Sequence, residues 1–111
     1  MVSNEVFHFG DIISLSFDPQ AGHEQKGRRP AIVSSNDILN EHSAMCMVCP
    51  ITNTDKEHPF HIKLPDTGKT SGVILCNQAR MLDVYARNAR FIEKTGTGIA
   101  EEARELVKQF L

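Results

Sequence analysis

Hydrophobic and polar residues alternate along much of the chain before residue 94, as expected of strands that bury one face. In the clearest case Ile13, Leu15 and Phe17 alternate with serines, and an Asp-Pro pair ends the run. A continuous apolar run over 44–51 predicts a central strand that is buried on both faces. Further strands are predicted over residues 30–34, 60–64, 72–76, 78–81 and 90–93.

The pattern changes near Thr97, where apolar residues begin to recur at helical spacing. Thr97 or Gly98 is the expected N-cap of this C-terminal helix, and the polar connection over 35–43 is expected to include one helical turn. Because the strands do not alternate with helices, we predict a mainly β (α+β) single domain over 1–111. Its expected form is a small, strongly bent antiparallel sheet or barrel with a C-terminal α-helix.

Composition is typical of a globular protein, with 41% hydrophobic and 23% charged residues, which excludes disordered and fibrous classes. The longest apolar stretch is far shorter than the roughly 20 residues of a membrane span, and the N-terminus lacks a signal-peptide pattern. The three cysteines do not suggest a disulfide framework, so a cytoplasmic location is expected. With a net charge of −2, binding to nucleic acid would depend on local positive charge, carried by Lys26, Arg28, Arg29 and Arg80.

Two long polar loops, 18–28 and 52–59, are the candidates for a functional site. If the second and third strands pair antiparallel, the start of one faces the end of the other, which places Arg29 beside Thr52. The first strand ends at Phe17 on the same edge, so both loops are expected to converge there. An arginine beside a hydroxyl and a glycine-containing loop is typical of a phosphate site, because the guanidinium fork matches phosphate oxygens.

Four motifs resemble those of the MazF/PemK toxin family and occur in the same order. They are GDI from Gly10 with FDP from Phe17, GHEQKGRRPAIV from Gly22, PIT from Pro50, and GVILCNQARMLD from Gly72. The resemblance implies an SH3-like β-barrel of the CcdB/MazF/PemK type that forms a homodimer. It also implies a sequence-specific, ribosome-independent endoribonuclease acting on single-stranded mRNA without a cofactor or a metal. A MazE- or PemI-like antitoxin with an acidic C-terminal tail would neutralise it.

The resemblance also assigns site residues. The family's catalytic arginine and threonine fall on Arg29 and Thr52, the plasmid-toxin branch adds Arg80 and Asp83, and a loop acid matches Glu24. Contacts to RNA are expected from the residues of the two loops and the third motif: Phe17, His23, Gln25, Lys26, Arg28, Asn53, Lys56 and Gln78.

Cleavage by the RNA's own 2′-hydroxyl suits these residue types. It needs a base for that hydroxyl, donors for the charged phosphorane and an acid for the departing 5′-oxygen. Arg29, Arg80 and the Thr52 hydroxyl suit the donor role, and Arg29 is also a possible acid. Because arginine stays protonated, the base is sought among Asp83, Glu24 and His23, which the sequence does not rank. The products would be a cyclic phosphate and a 5′-hydroxyl, and DNA would not be cut.

Other patterns lead to different functions that we consider weaker. Cys46-x-x-Cys49 with His58-x-x-His61 resembles a zinc pattern, but an offset of three along a strand points side chains to opposite faces. The cysteines also lack the exposed loop or helix start of a nucleophile. The alternative function is a non-catalytic small-barrel toxin that inhibits DNA gyrase by protein contact. The presence of all four of Arg29, Thr52, Arg80 and Asp83 favours the nuclease, because a gyrase inhibitor does not need a phosphate site.

Overall fold

The structure is a computed structural model that describes residues 5–17, 27–54 and 58–111. These residues form seven strands and two helices, with a single turn of 3-10 helix at Cys76–Gln78. The elements are β1 (Asp11–Ser16), β2 (Arg28–Val33), α1 (Asp37–His42), β3 (Met45–Thr52), β4 (His61–Lys63), β5 (Val73–Leu75), β6 (Arg80–Asp83), β7 (Arg90–Lys94) and α2 (Thr97–Lys108). No helix within the described ranges has the length and apolar character that crossing a membrane requires.

All strand pairings are antiparallel, and the strands follow the order β4-β5-β3-β2-β1-β7. The remaining strand, β6, and β5 pair with the same edge of β3. β6 pairs with the first half of β3, at Met45–Val48, and β5 pairs with its end, at Ile51 and Thr52. The segment that joins β6 to β7 returns to the end of β1, where the Ser16 N–H donates to the Arg87 carbonyl at 3.1 Å. The sheet therefore bends into a nearly closed barrel.

Side-chain alternation along the strands separates two hydrophobic cores. The helix-side core receives Ala100, Ala103 and Val107 from α2 together with strand residues such as Ile12 and Ile32. The opposite core contains the alternate strand residues and Phe7, and its members are Phe7, Ile13, Leu15, Ala31, Val33, Cys46, Val48, Leu82 and Val84. Neighbouring residues of one strand thus serve different cores, as the period of two requires.

Most of the predicted elements are confirmed, and two predictions need correction. The N-cap of α2 is Gly96 rather than Thr97 or Gly98. The strand predicted over 78–81 begins only at Arg80. If β5 continued in its register with β3, in which Ile51 pairs with Ile74, Val48 would pair with residue 77, but it pairs with Arg80, so the register shifts by three residues between β5 and β6. The 3-10 turn Cys76–Gln78 takes up the extra residues, so that both strands stay on the same edge of β3.

Candidate active site at one end of the barrel

Four strand ends meet at one end of the barrel. β1 ends at Ser16 opposite Arg28, where β2 begins. The β2–β3 register pairs Ala31 with Pro50, and its continuation sets Arg29 opposite Thr52, as the sequence predicts. Since β6 is antiparallel to β3, its first residue Arg80 points back toward the same end.

The side chains at these ends share one face. Each of these four strands contributes a side chain to the opposite core: Leu15, Ala31, Val48 and Leu82. Residues two or four positions further toward this end of the barrel have their side chains on the same face of the sheet, and they are Phe17, Arg29, Thr52 and Arg80. Phe17 packs against the rim of that core. Three of the predicted catalytic residues and one predicted RNA contact therefore lie together above the opposite core.

Arg80 and Arg29 bring positive charge to this face. The guanidinium carbon of Arg80 lies 5.1 Å from the centroid of the Phe17 ring, which is a cation–π contact. Arg29 is exposed on the neighbouring strand, diagonal to Phe17 across the Leu15–Arg29 pair. Within residues 5–17, 27–54 and 58–111 neither guanidinium group has a hydrogen bond or an ion pair, so both are available to an anion.

Thr52 is held with its hydroxyl hydrogen available. Its Oγ1 accepts a hydrogen bond from the Thr54 N–H at 3.2 Å, which leaves the O–H to donate elsewhere. The neighbouring Gly72 has a φ of +119°, and a Cβ there would overlap the Thr52 carbonyl oxygen. Only glycine therefore lets the start of β5 approach the end of β3 this closely.

Two other arginines brace the same end instead of remaining free. Arg28 was predicted to contact RNA, but its Nη2 donates to the carbonyls of Ser14 at 3.1 Å and Asn88 at 2.7 Å. Arg87, which the sequence analysis missed, donates through Nη1 to the carbonyls of Ser16 and Phe17, both at 3.0 Å. These bonds fix the end of β1, and no local sequence signal marked Arg87 for this role.

Asp83 does not join the group. It pairs with Met45, seven residues from Thr52 on β3, which is roughly 23 Å along a strand. Its Oδ1 accepts the Ala86 N–H at 3.0 Å and so holds the turn after β6. The Arg80–Asp83 offset of three also points the two side chains to opposite faces.

The remaining predicted residues divide into two sets. Gln78 is exposed at the end of the 3-10 turn, and Asn53 is exposed with its Oδ1 accepting from the Ser71 hydroxyl at 3.3 Å. The rest lie outside the described residues: His23, Glu24, Gln25, Lys26 and Lys56.

A polar cleft of about 320 Å³ lies at the same end of the barrel, on the helix-side face of β1 and β2 where Ser14, Arg28 and Pro30 lie. Arg28 and Arg29 form part of one wall, and Asn53, Lys69 and Ser71 form part of the other. Lys69 and Ser71 were missed, because their placement depends on contacts distant in sequence. Among the residues that the structure describes, the cleft lining includes three cationic side chains and no carboxylate.

The cysteines and histidines of the zinc-like pattern are placed differently from one another. Cys49 lies in the helix-side core and Cys46 in the opposite core, which confirms that an offset of three separates the thiols. The same argument was wrong for His58 and His61, whose ring centroids are 4.9 Å apart, because a turn closed by the His61 N–H and the His58 carbonyl precedes β4. Burial raises the pKa of Cys46 to about 11, so this thiol is protonated at neutral pH.

Fold and site together define a small antiparallel barrel with two guanidinium groups, a hydroxyl and an aromatic ring at one end. Residues 8–111 match the model of the PemK-like, MazF-like toxins of type II toxin-antitoxin systems, and the chain belongs to this family. The barrel and C-terminal helix implied by the sequence resemblance are confirmed.

Individual relatives agree with this assignment. The chain is 41% identical over 108 residues to the endoribonuclease toxin ChpB of Escherichia coli (strain K12), covering 93% of this chain and 92% of the relative. It is similar to the crystal structure of MazF from Deinococcus radiodurans, with 36% identity, a TM-score of 0.86, and coverage of 96% of this chain and 97% of that chain. In a MazE–MazF complex from the same organism, the matching chain has 29% identity and a TM-score of 0.83, with 96% of each chain covered.

Proposed function

We propose that this protein is the toxin of a toxin-antitoxin system and acts as a sequence-specific, ribosome-independent endoribonuclease on single-stranded mRNA. The observation that carries the proposal is the end of the barrel where Arg29 lies opposite Thr52 in the continued register of β2 and β3 and where Arg80 lies against Phe17, with no described partner for either guanidinium group. Its relatives named endoribonuclease toxins, including ChpB, support the same activity.

The proposed reaction is attack of the 2′-hydroxyl on the adjacent phosphorus, which expels the 5′-oxygen and leaves a 2′,3′-cyclic phosphate and a 5′-hydroxyl. Negative charge develops on the non-bridging oxygens, where Arg29, Arg80 and the Thr52 O–H donate hydrogen bonds. By comparison with donors in oxyanion holes, each would contribute about 3 kcal/mol. These donors are mounted on strands, so little reorganisation is needed during the reaction.

The proton transfers involve different residues. Arg29 stays protonated at neutral pH and is suited to donate toward the departing 5′-oxygen but not to act as the base. Glu24 and His23 remain the candidates for the base, since the Asp83 carboxylate holds a turn at the other end of β6. Phe17 offers its ring for stacking with an unpaired base, while Arg80 lies against the same ring.

The proposal includes two protein partners and a location. A MazE- or PemI-like antitoxin would bring an acidic C-terminal tail to Arg29 and Arg80, which would block the RNA phosphate; the MazE–MazF complex of D. radiodurans supports such a partner. The toxin would act as a homodimer of single-domain chains in the cytoplasm. The alternative of a gyrase inhibitor has less support, because protein contact alone does not require two guanidinium groups without described partners at the same end of the barrel as a hydroxyl.

The test is incubation of the purified protein with a long single-stranded RNA in excess EDTA, followed by mapping of the cut ends. We expect cuts at a recurring short sequence with cyclic phosphate ends. Lys108→Ala is the control for a lost positive charge, because Lys108 is exposed on α2 and its only described partner is Glu105, at 3.4 Å. RNA left intact by the folded wild-type protein would contradict the proposal and make gyrase the next target.

A further inference from the structure

Two of the three cysteines lie opposite one another in the helix-side core. Ile51 of β3 pairs with Ile74 of β5, and the same register carried on by two residues sets Cys49 opposite Cys76, directly after β5. All four side chains belong to the helix-side core, so the two thiols lie on the same face of the sheet. Directly opposite residues of an antiparallel pair have Cα atoms about 4.5–5.5 Å apart, within the range of about 4.4–6.8 Å found in disulfides.

The hydrogen bonds around these thiols form a chain with a defined direction. The Ser34 hydroxyl donates to the Met47 carbonyl at 3.3 Å, and the Cys49 S–H donates to Ser34 Oγ at 3.9 Å. The Cys49 sulfur in turn accepts a hydrogen bond from Cys76. That hydrogen bond lowers the pKa of Cys49 and raises the pKa of Cys76, so Cys49 is the thiol of this pair that ionises first.

The proposed nuclease mechanism uses neither of these thiols. Cys49 precedes Thr52 by three residues on β3, so its side chain points away from the face of the candidate active site. Both thiols are free and fully buried, and a small neutral oxidant such as hydrogen peroxide reaches such a core thiol during a local opening. Cys46 is equally buried but lies in the opposite core, with the sheet between it and the other two thiols.

We propose that Cys49 and Cys76 form a modification site at which hydrogen peroxide produces a reversible disulfide. The Cys49 sulfur attacks one peroxide oxygen, so that an S–O bond forms, the O–O bond breaks, and the departing hydroxide leaves as water with the Cys49 proton. The Cys76 sulfur then attacks the Cys49 sulfur, so that the S–S bond forms, the S–O bond breaks, and the hydroxide leaves with the Cys76 proton as a second water. The two thiols lose two electrons, and the peroxide gains them.

The disulfide would tie β3 to the 3-10 turn Cys76–Gln78 and enclose residues 50–75, a segment that includes β4 and β5. Closing this loop restricts the unfolded chain, and the native pairing already holds the two residues opposite one another. We therefore expect oxidation to raise Tm by roughly 5–15 °C. A reversible bond of this kind also suits a reducing compartment, where disulfides are usually transient.

The test treats the folded wild type, Cys46→Ala, Cys49→Ala and Cys76→Ala with hydrogen peroxide, which is then removed with catalase. Free thiols are alkylated in denaturant, and the bridged peptide is sought by mass spectrometry with and without dithiothreitol. Because the protein has three free cysteines, we expect a single alkylated thiol, Cys46, in the oxidised wild type. The bridge should also form in Cys46→Ala, the matched control, and in neither of the other variants. Dithiothreitol should reverse both the bridge and the rise in Tm.

Several outcomes would overturn the proposal. One is three alkylated thiols in the folded wild type, under conditions that fully oxidise a cysteine in an unfolded peptide. Others are sulfinic acid at Cys49 without a bridge, and a bridge that includes Cys46 or joins two chains. A Cys49–Cys76 bridge that lowers Tm would contradict the argument from the strand register. If a core variant does not fold, the peptides of the wild type and Cys46→Ala decide alone. None of these measurements involves RNA, so the result is separate from that for the nuclease.

Discussion

The neighbouring residues Arg28 and Arg29 should respond in opposite ways to replacement by alanine. The Arg29 side chain is exposed and has no hydrogen bond or ion pair within the described ranges, whereas the Arg28 side chain donates to the carbonyls of Ser14 and Asn88. The two side chains also point to opposite faces of β2. One variant should therefore lose activity, and the other should lose stability.

The structure sets the expected magnitudes. Removing an exposed side chain without partners changes stability by about 0.5 kcal/mol or less, or roughly 2 °C in Tm. Removing Arg28 eliminates two charge-assisted hydrogen bonds in a half-buried setting, which we expect to cost about 2 kcal/mol and lower Tm by roughly 8 °C. In catalysis, loss of the Arg29 donor should lower kcat/KM by about 100-fold or more.

The assay combines thermal unfolding with RNA cleavage in EDTA for Arg28→Ala, Arg29→Ala and Lys108→Ala. Cleavage is measured at 20 °C, so that Arg28→Ala stays folded, and its loss of activity should be much smaller than that of Arg29→Ala. A large drop in Tm for Arg29→Ala with unchanged kcat/KM would refute the reasoning, because it would make Arg29 the structural residue of the pair.

Three further predictions test other parts of the structure. Gly72→Ala should destabilise the protein by about 1–3 kcal/mol and slow cleavage, because a Cβ at this φ of +119° displaces the end of β3 at Thr52; denaturant unfolding and the cleavage assay measure both effects. Glu93→Ala should destabilise the protein by about 1 kcal/mol, because it leaves the N–H groups of Lys69 and Thr70 without their acceptor; denaturant unfolding measures the loss, and an unchanged free energy of unfolding would show that Glu93 does not hold the connection between β4 and β5. Burial raises the pKa of the Cys46 thiol from 9.0 in the unfolded chain to about 11 in the folded protein. The free energy of unfolding should therefore fall as the pH rises from 9 to 11, by at most about 1.4 kcal/mol per pH unit. Urea unfolding should show a shallower fall for Cys46→Ala than for the wild type.

Alternation of residues along the chain was sufficient to predict the strands and the central contact of the site. The run ending at Phe17 predicted β1, and antiparallel pairing alone predicted that Arg29 lies beside Thr52, as the continued register of β2 and β3 sets them. Both inferences depend on a period of two and on local pairing, which are fixed by backbone geometry.

The same geometry separates two pairs of residues that the sequence analysis grouped together. The offset of three that separates Cys46 from Cys49 also separates Arg80 from Asp83, so the motif alone should not have grouped these two side chains. Likewise, alternation sets Arg28 on the opposite face of β2 from Arg29.

Other features depend on contacts between residues distant in sequence. The slip of three residues between β5 and β6 follows from the way both strands pair with β3, and no residue within the 3-10 turn Cys76–Gln78 marks it. The position of Lys69 depends on a carboxylate 24 residues later in the chain. His58 and His61 approach each other because a turn replaces the extended chain that the sequence pattern indicated.

The most direct test of the central claim uses one RNA oligonucleotide that contains a mapped cut site, and a second that differs only by a single 2′-deoxyribose on the 5′ side of that cut. Both are incubated in EDTA with the wild-type protein and with Arg29→Ala. The account predicts cleavage of the all-RNA strand by the wild type alone, with a cyclic phosphate end, and no cleavage of the deoxy-substituted strand. Cleavage of the deoxy-substituted strand at the same position would contradict attack by the 2′-hydroxyl, and equal cleavage by Arg29→Ala would contradict the assignment of the active site to this end of the barrel.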